Sequence, residues 1–244
     1  LSDKPETMPY TEPHSDSRKV DTQISQWHAQ WVGALHRPED LVRFVDSVEC
    51  CTCNALPKYP DFPYQSAAMG QVDPGVPDPW FWKDDLHNEK RIYYTRVFGG
   101  QPGFISYYLL PAFIATNGEV ADELLYYGMM TQESQQVYQA IETGGPVSTK
   151  NLKQLLTPDA KHSADRLLID LERKFIITKT GITGRTLGTY SYIWDLVERW
   201  MPELLTAADK LGRKRAETKL REHLQAFGIL PDSPFYVKVL GWKV

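Results

Sequence analysis

The chain has no apolar run approaching the roughly 18 residues of a membrane-spanning helix, and no charged-then-apolar amino terminus of the signal-peptide kind. A cytoplasmic protein without a membrane partner is the expectation, although Leu at position 1 leaves room for a segment removed upstream. Cysteine is scarce. Cys50, Cys51 and Cys53 crowd into one segment, and their odd number gives no disulfide framework. CCTC also lacks the paired CxxC spacing of a zinc site, so these residues read as small apolar members of a buried strand, reduced and metal-free. His14, His28, His36, His162 and His223 show no HxxxH or HxH spacing. No GxGxxG follows a strand, and neither a Walker loop nor GxSxG occurs, which argues against nucleotide-dependent and serine-hydrolase chemistry. No metal and no cofactor are expected. There is no basic excess either: 27 Lys and Arg stand against 31 Asp and Glu, a net charge of -4, so any contact with nucleic acid must come from a local patch.

What is present fits a soluble globular chain of one or two domains: 244 residues, 42% hydrophobic and 24% charged. Aromatic residues reach 12%, with seven Trp, enough for broad aromatic packing or a stacking surface. Residues 1–20 are polar and Pro-rich and read as a flexible arm. Ile24, Trp27, Trp31 and Leu35 then mark one helix face, and Pro38-Glu39-Asp40 opens a second helix with Leu41, Phe44, Val45 and Val48 inward. Six prolines between Cys50 and Pro79 make a long structured loop, of a kind often functional or covering. A helix is expected to restart near Asp84 with Leu86, Ile92 and Tyr93 inward, followed by a turn, a short apolar run and a break at Pro111. GEVADELLYYGMM adds an acidic helix.

The most ordered pattern runs from Thr131 to Trp200. Val137, Ala140 and Ile141 repeat at helical spacing before Gly144-Gly145-Pro146; Ser148 caps a second helix bearing Leu152, Leu155 and Leu156; Ala164, Leu167, Leu168 and Leu171 line a third. Two β-rich runs, FIITKTGI and YSYIWDLV, flank the Gly-containing link 183–189. The expected fold class is mainly α with small β-hairpins in a winged-helix architecture, with tandem winged helices as a variant. The expected division is an arm at 1–20, a helical domain with the Pro-rich and aromatic loop at 21–130, the winged helix at 131–200, and C-terminal helices with a short strand in SPFYVKVLGWKV at 201–244. The C-terminal helices split near Gly212, and no internal repeat is visible.

FVDSVECCTCNALPKYPDFPYQSAAMG, then WFWKDDLHNEKRIYYTRVFGGQPGFISYYLLPAFIA, then GGPVSTKNLKQLL and the wing resemble the AlkZ-related winged-helix proteins, bacterial relatives of the AlkZ and YcaQ DNA glycosylases. The likeness covers roughly residues 38–228, and its specificity lies in the order of its pieces: WKDDL, an aromatic YY, an apolar run ending in Pro, and G-P-[VL]-S-T-x-x-L. It implies winged-helix architecture and an ancestral link to repair of alkylated or crosslinked bases. The glycosylases hold their water-activating residues in a Gln-x-Gln or Gln-x-Asp motif. Gln71-Val72-Asp73 matches those letters but sits in a Pro-rich loop before Pro74-Gly75.

On a winged helix that holds DNA, Lys161, His162, Arg166 and Arg173 of the third helix would face a groove, with Lys179 and Arg185 on phosphates. Asp165 and Asp170 on that helix oppose the reading, and a merely solvated face is the plain alternative. The run Arg213, Lys214, Arg215, Lys219 and Arg221 is a second basic stretch. Trp80, Trp82, Lys83, Asp84, Asp85, His87 and Glu89 put indoles beside carboxylates and an imidazole, from which a pocket makes a general base, or which serve only as first-turn acids and ion pairs. Asp73, Asp84 and Asp85 are the catalytic candidates. The first functional reading is a winged-helix protein that binds duplex DNA, a glycosylase relative acting on damaged bases. The second is a small-molecule enzyme or binding protein with an aromatic pocket on the same scaffold, and the third a scaffold without chemistry. Oligomeric state is not set by the sequence.

Overall fold

The computed structural model describes residues 27–161 and 164–242. The expected arm at 1–20, the start of the first helix and His162 lie outside the described residues, as does the side chain of Lys161. Residues 27–31 are helical. Helix α1 (Pro38–Val48) begins as the sequence predicts, with Pro38 in its first turn, Asp40 accepting from the N–H groups of His36 and Arg37, and Leu41, Phe44, Val45 and Val48 buried. Strand β1 (Cys50–Thr52) is wholly buried, as expected for Cys50 and Cys51, whereas Cys53, expected in the same strand, lies just past its end and is half-buried.

The Pro-rich loop carries one short helix, α2 (Gln65–Ala68), and leads to α3 (Pro79–Asn88). Helix α3 starts earlier than Asp84 because Asp78 caps it, accepting from the Trp80 N–H, and Pro79 supplies a preset φ. It also stops earlier. Lys90 takes a left-handed φ of 57°, and Tyr93, expected on a helix, begins strand β2 (Tyr93–Phe98), which turns through Gly99 and Gly100 at φ 65° and 84° into β3 (Gln101–Ile105). Pro111, expected as a break, lies in the first turn of α4 (Leu110–Asn117), where its missing N–H costs nothing.

Helix α5 (Ala121–Tyr126) precedes α6 (Gln132–Gly144), which Thr131 caps by accepting from the Ser134 N–H. Strand β4 (Val147–Ser148) follows, then α7 (Thr149–Leu155), capped by Ser148 accepting from the Asn151 N–H at 3.2 Å. Leu152 and Leu156 are buried, but Leu155, expected in the same stripe, is exposed. Next come α8 (Pro158–Lys161), α9 (Ala164–Arg173), β5 (Ile177–Ile182) and β6 (Tyr192–Leu196). The chain closes with α10 (Val197–Trp200), α11 (Pro202–Leu211), α12 (Arg213–Gln225) and α13 (Phe235–Lys238). The strand expected in SPFYVKVLGWKV is α13 instead. Its β propensity yields to packing: Phe235 enters the main core and Tyr236 lies against Trp242, ring centroids 4.9 Å apart.

The molecule is therefore a mixed α/β structure with two three-stranded antiparallel sheets rather than helices with simple hairpins, and the sheets run β1-β3-β2 and β4-β6-β5. Both have the order first, third, second, a topological repeat that leaves no trace in the residues. One apolar core joins residues 27–114 to the C-terminal segment 197–242, with Phe175 reaching in from between them, so α11 and α12 pack on α4. Phe62, Phe98, Phe113 and Phe235 are fully buried there, each worth about 1.5–3 kcal/mol of transfer free energy. The second core is drawn from one contiguous stretch, 124–196 with Ile177, Trp194 and Leu196 at its sheet. Among the described residues, no helix is long and apolar enough to cross a membrane.

Candidate functional site

Strand β6 and the link before it carry Tyr190, Tyr192 and Trp194 at alternate positions. A strand turns alternate side chains to one face, so the three rings form a ladder, with centroid separations of 5.4 and 5.8 Å. The Trp194 indole N–H donates to Thr149 Oγ1 at 2.8 Å, and Thr149 donates to the Tyr192 carbonyl at 3.2 Å, so the start of α7 fixes the ladder. The rings wall a cleft of about 860 Å³ between α7, α9 and the β5–β6 hairpin. Four cations line it, Arg96, Lys150, Lys153 and Lys179, against one carboxylate, Asp165. Lys153 is paired with Asp165 at 2.9 Å and Lys179 with buried Glu172, which leaves Arg96 and exposed Lys150 to give the cleft its positive character.

The wall at Tyr190 continues into α3. The Tyr190 hydroxyl donates to Asp84 Oδ2 at 3.0 Å. Lys83 Nζ donates to the same Asp84 oxygen at 2.8 Å, to the Tyr190 hydroxyl at 3.0 Å and to the Trp80 carbonyl at 2.9 Å. The Asp84 side chain is only 4% exposed, and its other oxygen, Oδ1, is buried without a partner among the described residues, the side chain bordering a second cavity of about 290 Å³. Burial pushes the Tyr190 hydroxyl pKa up, and that of Tyr192 up to about 12, so both stay protonated at neutral pH.

Deeper between α3 and β5, His87 accepts from the Tyr94 N–H through Nδ1 at 3.0 Å, which makes Nε2 the N–H that donates to the Lys179 carbonyl at 2.7 Å. Burial pushes its pKa down to about 3, and the charge of Lys179 adds to that, so His87 is a neutral structural link. The Lys179 side chain ends in an aromatic cage: Nζ lies 4.6, 5.0 and 5.1 Å from the ring centroids of Tyr94, Trp194 and Tyr192 and contacts Glu172 Oε1. Burial lowers the Lys179 pKa, while Glu172 opposes that shift. Glu172 Oε2 has no partner among the described residues.

Several sequence expectations change on this geometry. Lys179 does not face solvent: its side chain is 3% exposed and that of Glu172 0%, because both faces of β5 are covered where it lies under Tyr94. Arg173 is half-buried against the C-terminal segment, donating to the Val239 carbonyl at 3.4 Å, rather than facing a groove. Arg185 and Asp85, assigned to different tasks, pair with each other. Asp73 is held by Arg37 in the Pro-rich loop, where the Gln71 carbonyl lies 2.7 Å from His36 Nδ1, and it lines neither cavity. Arg166 is exposed on α9, and Lys161 ends α8. The structure thus brings Asp84 and Asp85 to one cavity and leaves Asp73 apart. Tyr190, Tyr192 and Trp194 have a period-2 spacing in YSYIW that is a legible signal of the ladder, and Lys83 belongs to the expected cluster around Asp84; Lys150, Lys153, Arg96 and Glu172 offered no signal.

A comparison with family profiles finds that the family described as AlkZ related matches residues 35–241. Comparisons with curated proteins and with solved structures returned no match. The matched span includes both sheets, the cleft and α3, so the whole candidate site lies within it. The chain belongs to the AlkZ-related family.

Proposed function

We propose that the chain is a cytoplasmic tandem winged-helix protein that binds duplex DNA and, as a glycosylase relative, takes one damaged nucleotide out of the stack into the cleft. The observation that carries this reading is the cleft itself: an aromatic ladder whose half-buried rings, Tyr190 and Tyr192, offer a base a surface to stack on, beside Arg96 and Lys150 for phosphates. The element order α6-β4-α7-α9-β5-β6 with strands in the order β4-β6-β5 supports a winged helix, and α1-β1-α3-β2-β3 with the same strand order supports a second one before it. On this reading α9, with exposed Arg166, and the link 183–189 approach the duplex.

Of the three candidate carboxylates, Asp84 is the one suited to activating water. All three are ion-paired, Asp85 with Arg185, Asp73 with Arg37 and Asp84 with Lys83, but Asp84 alone is buried beside a cavity, keeps an oxygen without a partner among the described residues and joins the ladder through Tyr190. Fluorescence anisotropy with a labelled duplex across a salt series tests the binding. Saturable binding whose salt slope falls by about one unit in Lys150→Ala or Arg166→Ala is the expected result. Release of alkylated bases from the same duplex tests the chemistry. No saturable binding at low salt, with a thermal shift from a small anionic aromatic compound, would transfer the cleft to small-molecule recognition.

A further inference from the structure

We propose that Lys179 is an amine held for covalent capture of an aldehyde, and that its substrate is the ring-opened deoxyribose left where a base has been removed from DNA. The inference rests on the DNA reading above and adds a reaction to it.

The two buried lysines of the site differ in what surrounds the ammonium. Lys83 is saturated, with its three donors matched by the Trp80 carbonyl, Asp84 and the Tyr190 hydroxyl. Lys179 has one acceptor among the described residues, Glu172, and otherwise meets the faces of Tyr94, Tyr192 and Trp194. Losing a proton therefore leaves Lys83 one donor short of its three acceptors, whereas Lys179 keeps a donor to spare for its single one. A buried ion pair is expensive to keep charged, and moving one proton from Lys179 to Glu172 turns two desolvated charges into two neutral groups. Glu172 keeps a second buried oxygen, Oε2, without a partner among the described residues, so the carboxyl has capacity to spare for a proton in transit. Lys179 also borders the cleft, and two rings of its cage, Tyr192 and Trp194, are rings of the ladder on which a base would stack. The amine thus lies beneath the place a nucleotide would occupy, in surroundings poor in water.

The step balances within these residues. Lys179 passes one proton to Glu172, and the neutral Nζ adds to C1′ of the open-chain aldehyde; the C=O π bond opens onto its oxygen, which takes one of the two remaining Nζ protons, giving the N–C bond of a neutral carbinolamine. Glu172 returns the proton to the carbinolamine hydroxyl, which leaves as water as the C–O bond breaks, and an iminium joins Nζ to C1′. No external oxidant, reductant or metal is required. An ion pair that only ties α9 to β5 would leave Lys179 inert to carbonyl compounds.

The test incubates the full chain with a duplex carrying one abasic site and sodium cyanoborohydride, which reduces the iminium to a stable amine, and maps the adduct by mass spectrometry after digestion. The expected result is a single adduct on Lys179. An adduct on Lys150 or Lys153 of the same cleft, or no adduct, overturns the proposal without recourse to any variant. Glu172→Gln, which keeps the shape but cannot carry the proton, is expected to slow trapping roughly 100-fold while circular dichroism verifies that it folds; trapping at the parent rate would remove Glu172 from the step as written. Anisotropy on the same abasic duplex separates the two readings: binding without an adduct overturns the imine and leaves DNA recognition standing, and absence of both overturns both.

Discussion

Arg185 and Asp85, 100 positions apart in the chain, meet as a two-pronged ion pair between the β5–β6 link and α3, with Nη1 3.1 Å from Oδ2 and Nη2 in contact with Oδ1. The guanidinium also lies 4.9 Å over the Phe81 ring. The pair anchors the link whose later residues, Gly188 to Tyr190, wall the cleft. It raises the Arg185 pKa through the hydrogen bond to Asp85, so Arg185 is a cation already spoken for.

The side chains of this pair are 51% and 35% exposed, so Arg185→Ala should cost no more than about 1 kcal/mol of stability. On the DNA reading, Asp85→Asn frees Arg185 and removes a repelling carboxylate, so duplex affinity should rise at low salt, whereas Arg185→Ala should lower it. Anisotropy on the two variants decides. Weaker binding by Asp85→Asn would mean that the pair matters for shaping the hairpin instead.

Asp84→Asn separates chemistry from structure. Lys83 and the Tyr190 hydroxyl keep a side-chain oxygen to donate to, so the loss of stability should stay within about 1–3 kcal/mol. Base release from an alkylated duplex should fall about 100-fold or more if Asp84 activates the water. Thermal denaturation and turnover are measured on the same preparations, and turnover equal to the parent's would exclude Asp84.

Acid should weaken the fold through two histidines. Burial lowers the pKa of His87 to about 3 and that of His223 to about 4, with His223 held between Glu49 at 3.2 Å and the Val48 carbonyl at 3.1 Å. Unfolded histidines titrate near 6.5, so between about pH 6.5 and 4 the unfolded chain binds more protons and stability falls as pH falls; each group contributes a slope of about 1.4 kcal/mol per pH unit. Urea unfolding at pH 5 to 6.5 should show this slope, and His87→Gln should about halve it. An unchanged slope would mean that His87 takes its proton in the folded state.

The thiols should be silent until the chain opens. Burial pushes the Cys50 and Cys51 pKa values far up and that of Cys53 up to about 12, which leaves almost no thiolate at neutral pH. A thiol reagent should react slowly with native protein and rapidly with three groups per chain in denaturant. Stoichiometric zinc in the purified protein would contradict the assignment to a buried strand.

Where the sequence was legible, local chemistry decided the structure. Thr131, Ser148 and Pro38 mark helix starts through groups that a helix leaves unsatisfied, and the Gly-containing link before β6 marks a reversal. The first hairpin is signalled in the same way by Gly99-Gly100, but the charges of NEKR before it imitate a helical surface, so Ile92 and Tyr93 look like a helix face. Lys179 and Glu172 illustrate the opposite limit. Alternation within ITKTGI puts a lysine where one face of a hairpin normally meets water, but Glu172 of α9 and the Tyr94 ring of β2, both outside the hairpin pattern, cover it. The pairing of Asp85 with Arg185 and of Asp84 with Tyr190 likewise depends on how the two halves meet, which no spacing along the chain records.

The division of the two cores has a consequence for biosynthesis. Every buried residue of the second core lies between Leu124 and Leu196, while the first core, which takes only Phe175 of its buried residues from that stretch, needs α11 to α13 as well as residues 27–114. A ribosome therefore delivers a complete inner unit before the outer one can close. Until residues beyond 200 emerge, α4 exposes the apolar face that α11 and α12 later cover, a surface open to chaperones or to aggregation. Pulsed hydrogen exchange during refolding should find the amides of β5 and β6 protected before those of α4; the reverse order would show that the outer unit gathers its distant ends first despite the longer loop it must close.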